Sequence, residues 1–327
     1  MSVHPPPLPH QNTSPNWERA TLEKLALAAI NEQRTARRWR VGLRLAWLLL
    51  FALLIFQSFQ NTPATGTIAA TKLAPHTAVI EIEGAIADNA NMGTSAQDVI
   101  ENARDAFENE QAAAVVLLIN SPGGSPVQAG MITDELTRLK EKHKKPLYAV
   151  VSDTCASGAY YVAVAADKIF VDKASIVGSI GVRMDGFGFT GAMEKMGIER
   201  RLLTAGDNKG MLDPFSPISP EQQAYAQTML NQIHQQFIDV VRKHRGKRLK
   251  ETPETFSGLI WTGQQAVELG LVDALGSVDS VARDVVQQEK VVDYTRRDNV
   301  AERLAKKFGA SVGAGAVQAL QMQTNLR

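Results

Sequence analysis

Asp153-Thr-Cys-Ala-Ser-Gly-Ala-Tyr-Tyr161 lies between two segments of different character. Before it, Pro146-Leu-Tyr-Ala-Val-Val151 is a short apolar run that reads as a buried strand. At its end, Tyr160-Tyr-Val-Ala-Val-Ala-Ala166 reads as a packed helix. Ser157 therefore stands on a small-residue turn between strand and helix. The amides that follow, Gly158 especially, are expected at a helix N-terminus, where unpaired N–H groups and the macrodipole favour an anion. Acyl transfer needs a hydroxyl beside such donors. Small residues that let a helix pack closely on a sheet are the plainer reading. A nucleophile also needs a base and a place for the oxyanion, so the turn by itself decides nothing.

On both sides of this stretch, strands alternate with helices. Residues 78–83 form an apolar strand pattern closed by Gly84, and residues 95–110 carry Val99, Ile100, Ala103 and Phe107 at helical spacing. Residues 114–119 are a continuous apolar run of the kind found inside parallel sheets. Residues 126–143 read as an amphipathic helix with Val127, Met131, Ile132, Leu136 and Leu139 inward. Residues 147–151 and 168–171 add two more strands. The alternation predicts right-handed βαβ units and the α/β class. Further on, Ser219 reads as a helix cap with Pro220 at the first helical position. Met229, Ile233, Phe237, Val240 and Val241 give that long helix one apolar face, and Gly246 ends it. Residues 264–269 and 277–288 read as two further helices, and residues 300–308 as a weakly amphipathic tail.

The N-terminal quarter has a different organisation. Residues 1–16 are rich in Pro, His, Asn and Ser and read as a disordered tail. Residues 17–40 have a helical pattern and end in a basic cluster, Arg34, Arg37, Arg38 and Arg40, with Arg44 beyond it. The apolar run 45–56 follows and extends to Phe59. From Val41 to Phe59 the length is close to the ~20 residues a helix needs to cross a bilayer, with Arg44 able to snorkel. A cleaved signal peptide is the rival reading, but its n-region is short, whereas about forty residues precede this run. An uncleaved anchor is therefore expected. The arginines place the N-terminus in the cytoplasm and everything after Gln60 on the far side. The expected organisation is a cytoplasmic tail over 1–40, an anchor over 41–59, a linker over 60–75, a folded domain over 76–297 and a C-terminal tail over 298–327.

Composition narrows the chemistry. Hydrophobic content of 44% and charged content of 21% suit a globular protein, and a net charge of +1 gives no reason to expect a nucleic-acid partner. One cysteine, Cys155, leaves no intrachain disulfide and no Cys-based metal framework. The six histidines form no HExxH-type pair, and none is near Ser157 in sequence, so no metal or cofactor is expected.

Asn120-Ser-Pro-Gly-Gly-Ser125 follows the apolar run 114–119. Its glycines permit backbone conformations closed to other residues, so the loop can aim amide N–H groups into a cavity. It lacks the spacing of a phosphate loop and makes better sense as half of an oxyanion hole, with Gly158 as the other half. A plain tight turn is the alternative. With no histidine suggestively placed, the base for a serine would be a lysine kept neutral by burial. Lys209 is the candidate, in a Gly-punctuated loop flanked by apolar residues from Thr204 to Phe215. For a single loop lysine a solvated charge is the commoner outcome.

Asn120-Ser-Pro-Gly-Gly124, Ala156-Ser-Gly-Ala-Tyr-Tyr161, Gly178-Ser-Ile-Gly-Val182 and Lys209 with Asp213-Pro-Phe215 occur in this order. Ile260-Trp-Thr-Gly263 and Gly270-Leu-Val-Asp273 follow them. Over roughly residues 76–290 this set closely resembles the signal peptide peptidase A family. The resemblance implies a Clp protease/crotonase-like fold of repeated ββα (βαβ) units. It implies Ser157 as nucleophile, Lys209 as general base, Ser179 as the serine that holds the lysine, and Gly124 and Gly158 as oxyanion amides. A single copy of the domain resembles the short bacterial form, an anchored protein that assembles into homo-oligomeric rings, so the site is expected to depend on assembly. The expected function is a serine endopeptidase of the bacterial inner membrane, with its catalytic domain outside the cytoplasm, that degrades signal-peptide remnants and other hydrophobic peptides. Two other classes stay open: a crotonase-like acyl-CoA enzyme, and a catalytically inactive tethered scaffold. Cys155, two residues before Ser157, reads as small buried packing rather than a nucleophile.

Overall fold

The structure is a computed structural model that describes residues 23, 24, 27, 37, 39–51, 74–88 and 93–296. Residues 39–51 form a helix, α1, with its described side chains exposed. It contains the first part of the expected anchor. Residues 52–59, most of the expected linker and both expected tails lie almost wholly outside the described residues. Among the described residues no helix is long and apolar enough to cross a membrane. Ala69–Arg297 form one compact unit.

The centre of that unit is a parallel sheet. Strands β1 (His76–Glu83), β4 (Ala112–Ser121), β5 (Leu147–Ala156), β6 (Lys168–Val171), β9 (Ala274–Leu275) and β10 (Val291–Asp293) lie in the order β10-β1-β4-β5-β6-β9, each parallel to its neighbours. A short pair, β2 (Ala85–Ile86) and β3 (Gly93–Thr94), follows β1. Helices α2 (Ala96–Glu108) and α3 (Pro126–His143) connect β1 to β4 and β4 to β5, giving two successive βαβ units and a mixed α/β fold dominated by parallel strands. Alternate residues of each central strand face opposite ways. Ala78, Ile80, Ile82, Leu117, Ile119, Ala149 and Val151 pack in one core with α2 and α3. Val79, Val116, Val150 and Phe170 pack on the other face with Val281. Burial on both faces is why these strands read as unbroken apolar runs. Each fully buried Leu or Ile contributes about 1.5–3 kcal/mol.

The local signals set the helix ends. The Ser95 side chain accepts from the Asp98 N–H to start α2, and Ser125 does the same from Gln128 for α3, with Pro126 at the first position. The bounds of α3 match the sequence reading, but its inward face does not. The buried residues are Ala129, Ile132, Thr133, Leu136 and Leu139, whereas Val127 is 70% and Met131 50% exposed. At 3.6 residues per turn, both sit roughly opposite Ala129 on the helix. The expected helix over 277–288 is instead a single turn, α8 (Val278–Ser280), followed by a π-helical segment (Val281–Val286).

Helix α6 (Pro220–Arg245) opens on a full capping box between Ser219 and Gln222 and ends at Gly246. Its last residue, Arg245, is 1% exposed. Arg245 donates from Nε to the Gly270 carbonyl at 2.9 Å and from both terminal nitrogens to the Asp273 carboxylate, at 2.8 and 3.1 Å. Burial alone would raise the Asp273 carboxyl, but these bonds, the Ile169 N–H and Arg248 hold it below the usual carboxylate range. At the other side of the sheet, β10 completes the edge of β1. The buried His76 ring stacks on Tyr294 with centroids 5.8 Å apart, and its Nε2 lies 3.0 Å from the tyrosine hydroxyl.

Candidate active site

The site is made by a bend in β5. Residues Tyr148–Val151 pair with β6, while Thr154–Ala156 leave that partner and pair with β7 (Ile176–Gly178). Against β4 the register jumps: Ile119 faces Val151, but Ser121 faces Cys155. The extra residues on β5 form a bulge, which turns the strand end out of the sheet. Thus β5 runs through Ala156, well past the apolar run that marks it in the sequence.

Ser157 follows immediately, at φ 53° and ψ −125°, and caps the short helix α4 (Gly158–Ala163). A non-glycine residue in such a conformation stores about 1–3 kcal/mol and persists only where its surroundings over-determine it. The Ser157 N–H donates to the Gly178 carbonyl at 2.8 Å, and its own carbonyl accepts from the Tyr161 N–H at 3.0 Å. The 120–125 loop presses on the turn from the other side. Gly123 has φ 94°, and a Cβ there would meet the Gly158 nitrogen and Ala156 oxygen at 2.6 Å. Only glycine fits at that approach.

Two amides face this turn without partners. The Ile86 N–H donates to the Gly123 carbonyl, and the Ser125 N–H to the Ile86 carbonyl, which pins the loop but uses neither the Gly124 nor the Gly158 N–H. Neither has an acceptor among the described residues. The two glycines touch: a Cβ on Gly158 would lie 3.2 Å from the Gly124 nitrogen. Gly124, Ser157, Gly158 and Ser179 all line one groove of about 680 Å³. Ala129, Tyr161, Val182, Ile233 and Phe237 give it apolar lining, and Arg183, Asp185, Gln236 and Ser257 polar lining. Tyr161 and Phe237 pack ring to ring at 5.1 Å. Ser179 is half-buried with φ 51°, and its N–H donates to the Leu259 carbonyl at 2.8 Å.

The structure does not bring Lys209 to this group. Lys209 is exposed, in a turn within residues 183–218, and is not among the residues lining the groove. No described residue of that segment is buried, and it presents Phe187, Met196 and Leu203 at 80%, 65% and 96% exposure. Cys155 is fully buried beneath the turn, and burial pushes its thiol well above the ordinary range, so it packs and does not attack. Among the described residues no cluster of His, Cys, Asp or Glu is placed to hold a metal. The sequence reading named the loop glycines and the apolar face of α6 but did not place Ile233 and Phe237 at the site, and it gave no role to His234, whose Nε2 lies 3.0 Å from the Ile180 carbonyl. The i, i+4 pair Ile233 and Phe237 was the available signal for that placement.

Comparison with known proteins places these residues in a family. A family model described as Peptidase family S49 matches residues 139–292, a span that includes Ser157, Ser179 and Lys209. A protein of Brucella abortus (strain 2308) named Na(+)/H(+) antiporter NhaA is 42% identical over 211 residues, which are 63% of this chain but only 28% of that protein. The putative protease MJ0651 of Methanocaldococcus jannaschii is 33% identical over 66% of this chain and 71% of its own length. The putative signal peptide peptidase SppA of Enterococcus faecium is 30% identical over 66% of this chain and 64% of its own length. The chain belongs to the signal peptide peptidase A family of serine peptidases, peptidase family S49.

Proposed function

We propose that this chain is a membrane-anchored serine endopeptidase that cuts hydrophobic peptides, signal-peptide remnants among them, with a Ser157/Lys209 dyad. One observation carries the reading. Ser157 is held in a strained turn beside two amides that lack acceptors among the described residues, in a groove partly lined by Ala129, Tyr161, Val182, Ile233 and Phe237. Ser157 Oγ attacks the scissile carbonyl, and its proton passes to neutral Lys209 Nζ. The Gly124 and Gly158 N–H groups receive the oxyanion. Lys209 returns the proton to the leaving amine, and water then releases the acyl group from Ser157. Ser179 holds the lysine. An extended apolar substrate fits the Tyr161–Phe237 wall.

Within one chain Lys209 stays outside the groove, although Arg183 and Asp185 of the same segment line it. A lysine works as a base when burial disfavours its ammonium form. Phe187, Phe189 and Phe215 pack ring to ring yet stay exposed, and an exposed apolar patch marks an interaction surface. We infer that a second copy of the chain covers residues 183–218 and completes the site, so the enzyme is a homo-oligomer. The arginine cluster before the apolar run 45–56 supports an anchor with its N-terminus in the cytoplasm and the folded unit on the other side. Family membership and the serine turn both favour peptide hydrolysis over acyl-CoA chemistry.

Peptide hydrolysis by purified, assembled Ser157→Ala and Lys209→Ala proteins tests the dyad. The serine variant is expected at background, and the lysine variant about 10²–10⁴-fold below wild type. Wild-type turnover by either one sinks the assignment. Mixing the two inactive proteins, dissociated and reassembled together, is expected to restore part of the activity. Failure to restore any would place the lysine and serine in one chain.

A further inference from the structure

We propose that His234 is a positioning residue for the peptidase reaction, holding the groove wall that presents Ser179 beside Ser157. The proposal rests on the Ser157/Ser179 reading above. His234 lies on α6, half-buried, one residue from Ile233 in the groove wall. Its Nε2 is 3.0 Å from the Ile180 carbonyl oxygen. A carbonyl only accepts, so Nε2 carries the proton and the ring donates.

The segment it holds contains one strained residue, Ser179. Gly178 and Ser179 both have positive φ, at 106° and 51°. A Cβ on Gly178 would collide with the Trp261 ring at 2.8 Å, so the segment is pressed against β8 (Ile260–Thr262). Besides the pairing of Gly178 with Ala156 and Ile260, three hydrogen bonds pin it, one per residue. Ser157 N–H donates to the Gly178 carbonyl, Ser179 N–H donates to the Leu259 carbonyl, and His234 donates to the Ile180 carbonyl. The first two come from neighbouring backbone. The third is a side chain, and it ties the segment to α6. A strained residue keeps its conformation only while its surroundings over-determine it. With the His234 bond gone, Ser179 can relax towards an ordinary conformation. The Gly178 carbonyl that steadies the nucleophile's backbone is adjacent and moves with it. Because the peptide unit is planar, turning the Ile180 carbonyl away also rotates the Gly181 N–H, and Gly181 lines the groove. A displacement of about 1 Å at a reacting group can cost about 10²-fold in rate.

The test uses the full-length, detergent-extracted protein and a quenched apolar peptide. His234→Leu removes the donor, while His234→Gln keeps an amide N–H at comparable reach. We expect His234→Leu to lower kcat about 10–100-fold with KM within about threefold, and His234→Gln to stay within about threefold of wild type in both. His234→Gln and His234→Glu, alike in size but with only the first able to donate, give a second comparison should the leucine variant fail to assemble. Retained kcat in His234→Leu, or equal kcat in the Gln and Glu proteins, overturns the proposal. Ser157→Ala measured alongside separates the two readings. If it is active, the serine mechanism itself fails. If it is silent while every His234 variant turns over like wild type, only the role of His234 falls.

Discussion

Replacing Gly158 with alanine tests the paired amides with little disturbance to the fold. The residue opens α4 and has no positive φ, so alanine suits its backbone, and the loss of unfolded-state freedom is worth about 0.4–1 kcal/mol in favour of folding. The new methyl would lie 3.5 Å from the Ala129 Cβ, an ordinary contact, and 3.2 Å from the Gly124 nitrogen, which needs the neighbour to yield by a few tenths of an ångström. The melting temperature should therefore move by no more than a few degrees. Catalysis has no such tolerance. An oxyanion must come within about 2.9 Å of the Gly124 nitrogen, and the methyl competes for that space. Losing one donor of such a pair costs about 2.7–4 kcal/mol, or about 10²–10³ in kcat. The assay is steady-state hydrolysis of a quenched apolar peptide, with thermal unfolding measured on the same preparation. A folded, assembled Gly158→Ala enzyme with kcat within threefold of wild type would show that the two amides do not share the oxyanion.

Two further outcomes concern the buried charges and the thiol. Asp273→Ala leaves the Arg245 guanidinium buried and unpaired, which should cost about 3–5 kcal/mol, read as a fall in melting temperature of roughly 6–20 °C. The Asp273 carboxyl is depressed in the folded state, so its contribution is complete above the unfolded value of about 3.9 and is lost as pH falls through the lower folded value. The gap between wild type and variant should hold at neutral pH and close only below about pH 4. A gap that closes nearer neutrality would point to another group. Cys155, buried with its thiol pushed up, should resist iodoacetamide at pH 8 in the folded protein and react after unfolding in guanidinium. Rapid alkylation of the folded protein would contradict its burial.

What could be read from the sequence was local. Ser125 with Pro126 and Ser219 with Pro220 fix two helix starts because a capping side chain and its N–H lie three residues apart. The strands at 114–119 and 168–171 were legible because burial on both faces removes any polar alternation. The end of β5 was not. Ser152, Asp153 and Thr154 look like loop residues, and what makes Thr154 strand is pairing with β7 over twenty residues away. Val127 and Met131 are apolar but exposed, and composition does not say which way a helix is rotated. Arg245 is one of four basic residues in the last turn of α6, and its burial depends on Asp273 and Gly270 from a later segment. For the site, the motif order named Ser157, Ser179, Gly124 and Gly158, which line one groove. It also named Lys209, which is exposed and does not line that groove.

The contact between His76 and Tyr294 has a consequence for synthesis. β1 is the first strand of the sheet to leave the ribosome and β10 the last, yet they pair side by side. Until the segment near Lys290 has emerged, β1 offers an open hydrogen-bonding edge, and Thr77 lacks the Gln288 carbonyl that its hydroxyl binds at 2.8 Å. An open edge of this kind can pair with a strand of another nascent chain. Closing it needs a contact spanning nearly the whole unit, the sort of non-local pairing that slows folding. A message truncated before the codon for Lys290 would therefore yield a chain with most of its apolar core but an unsealed sheet, exposed to aggregation.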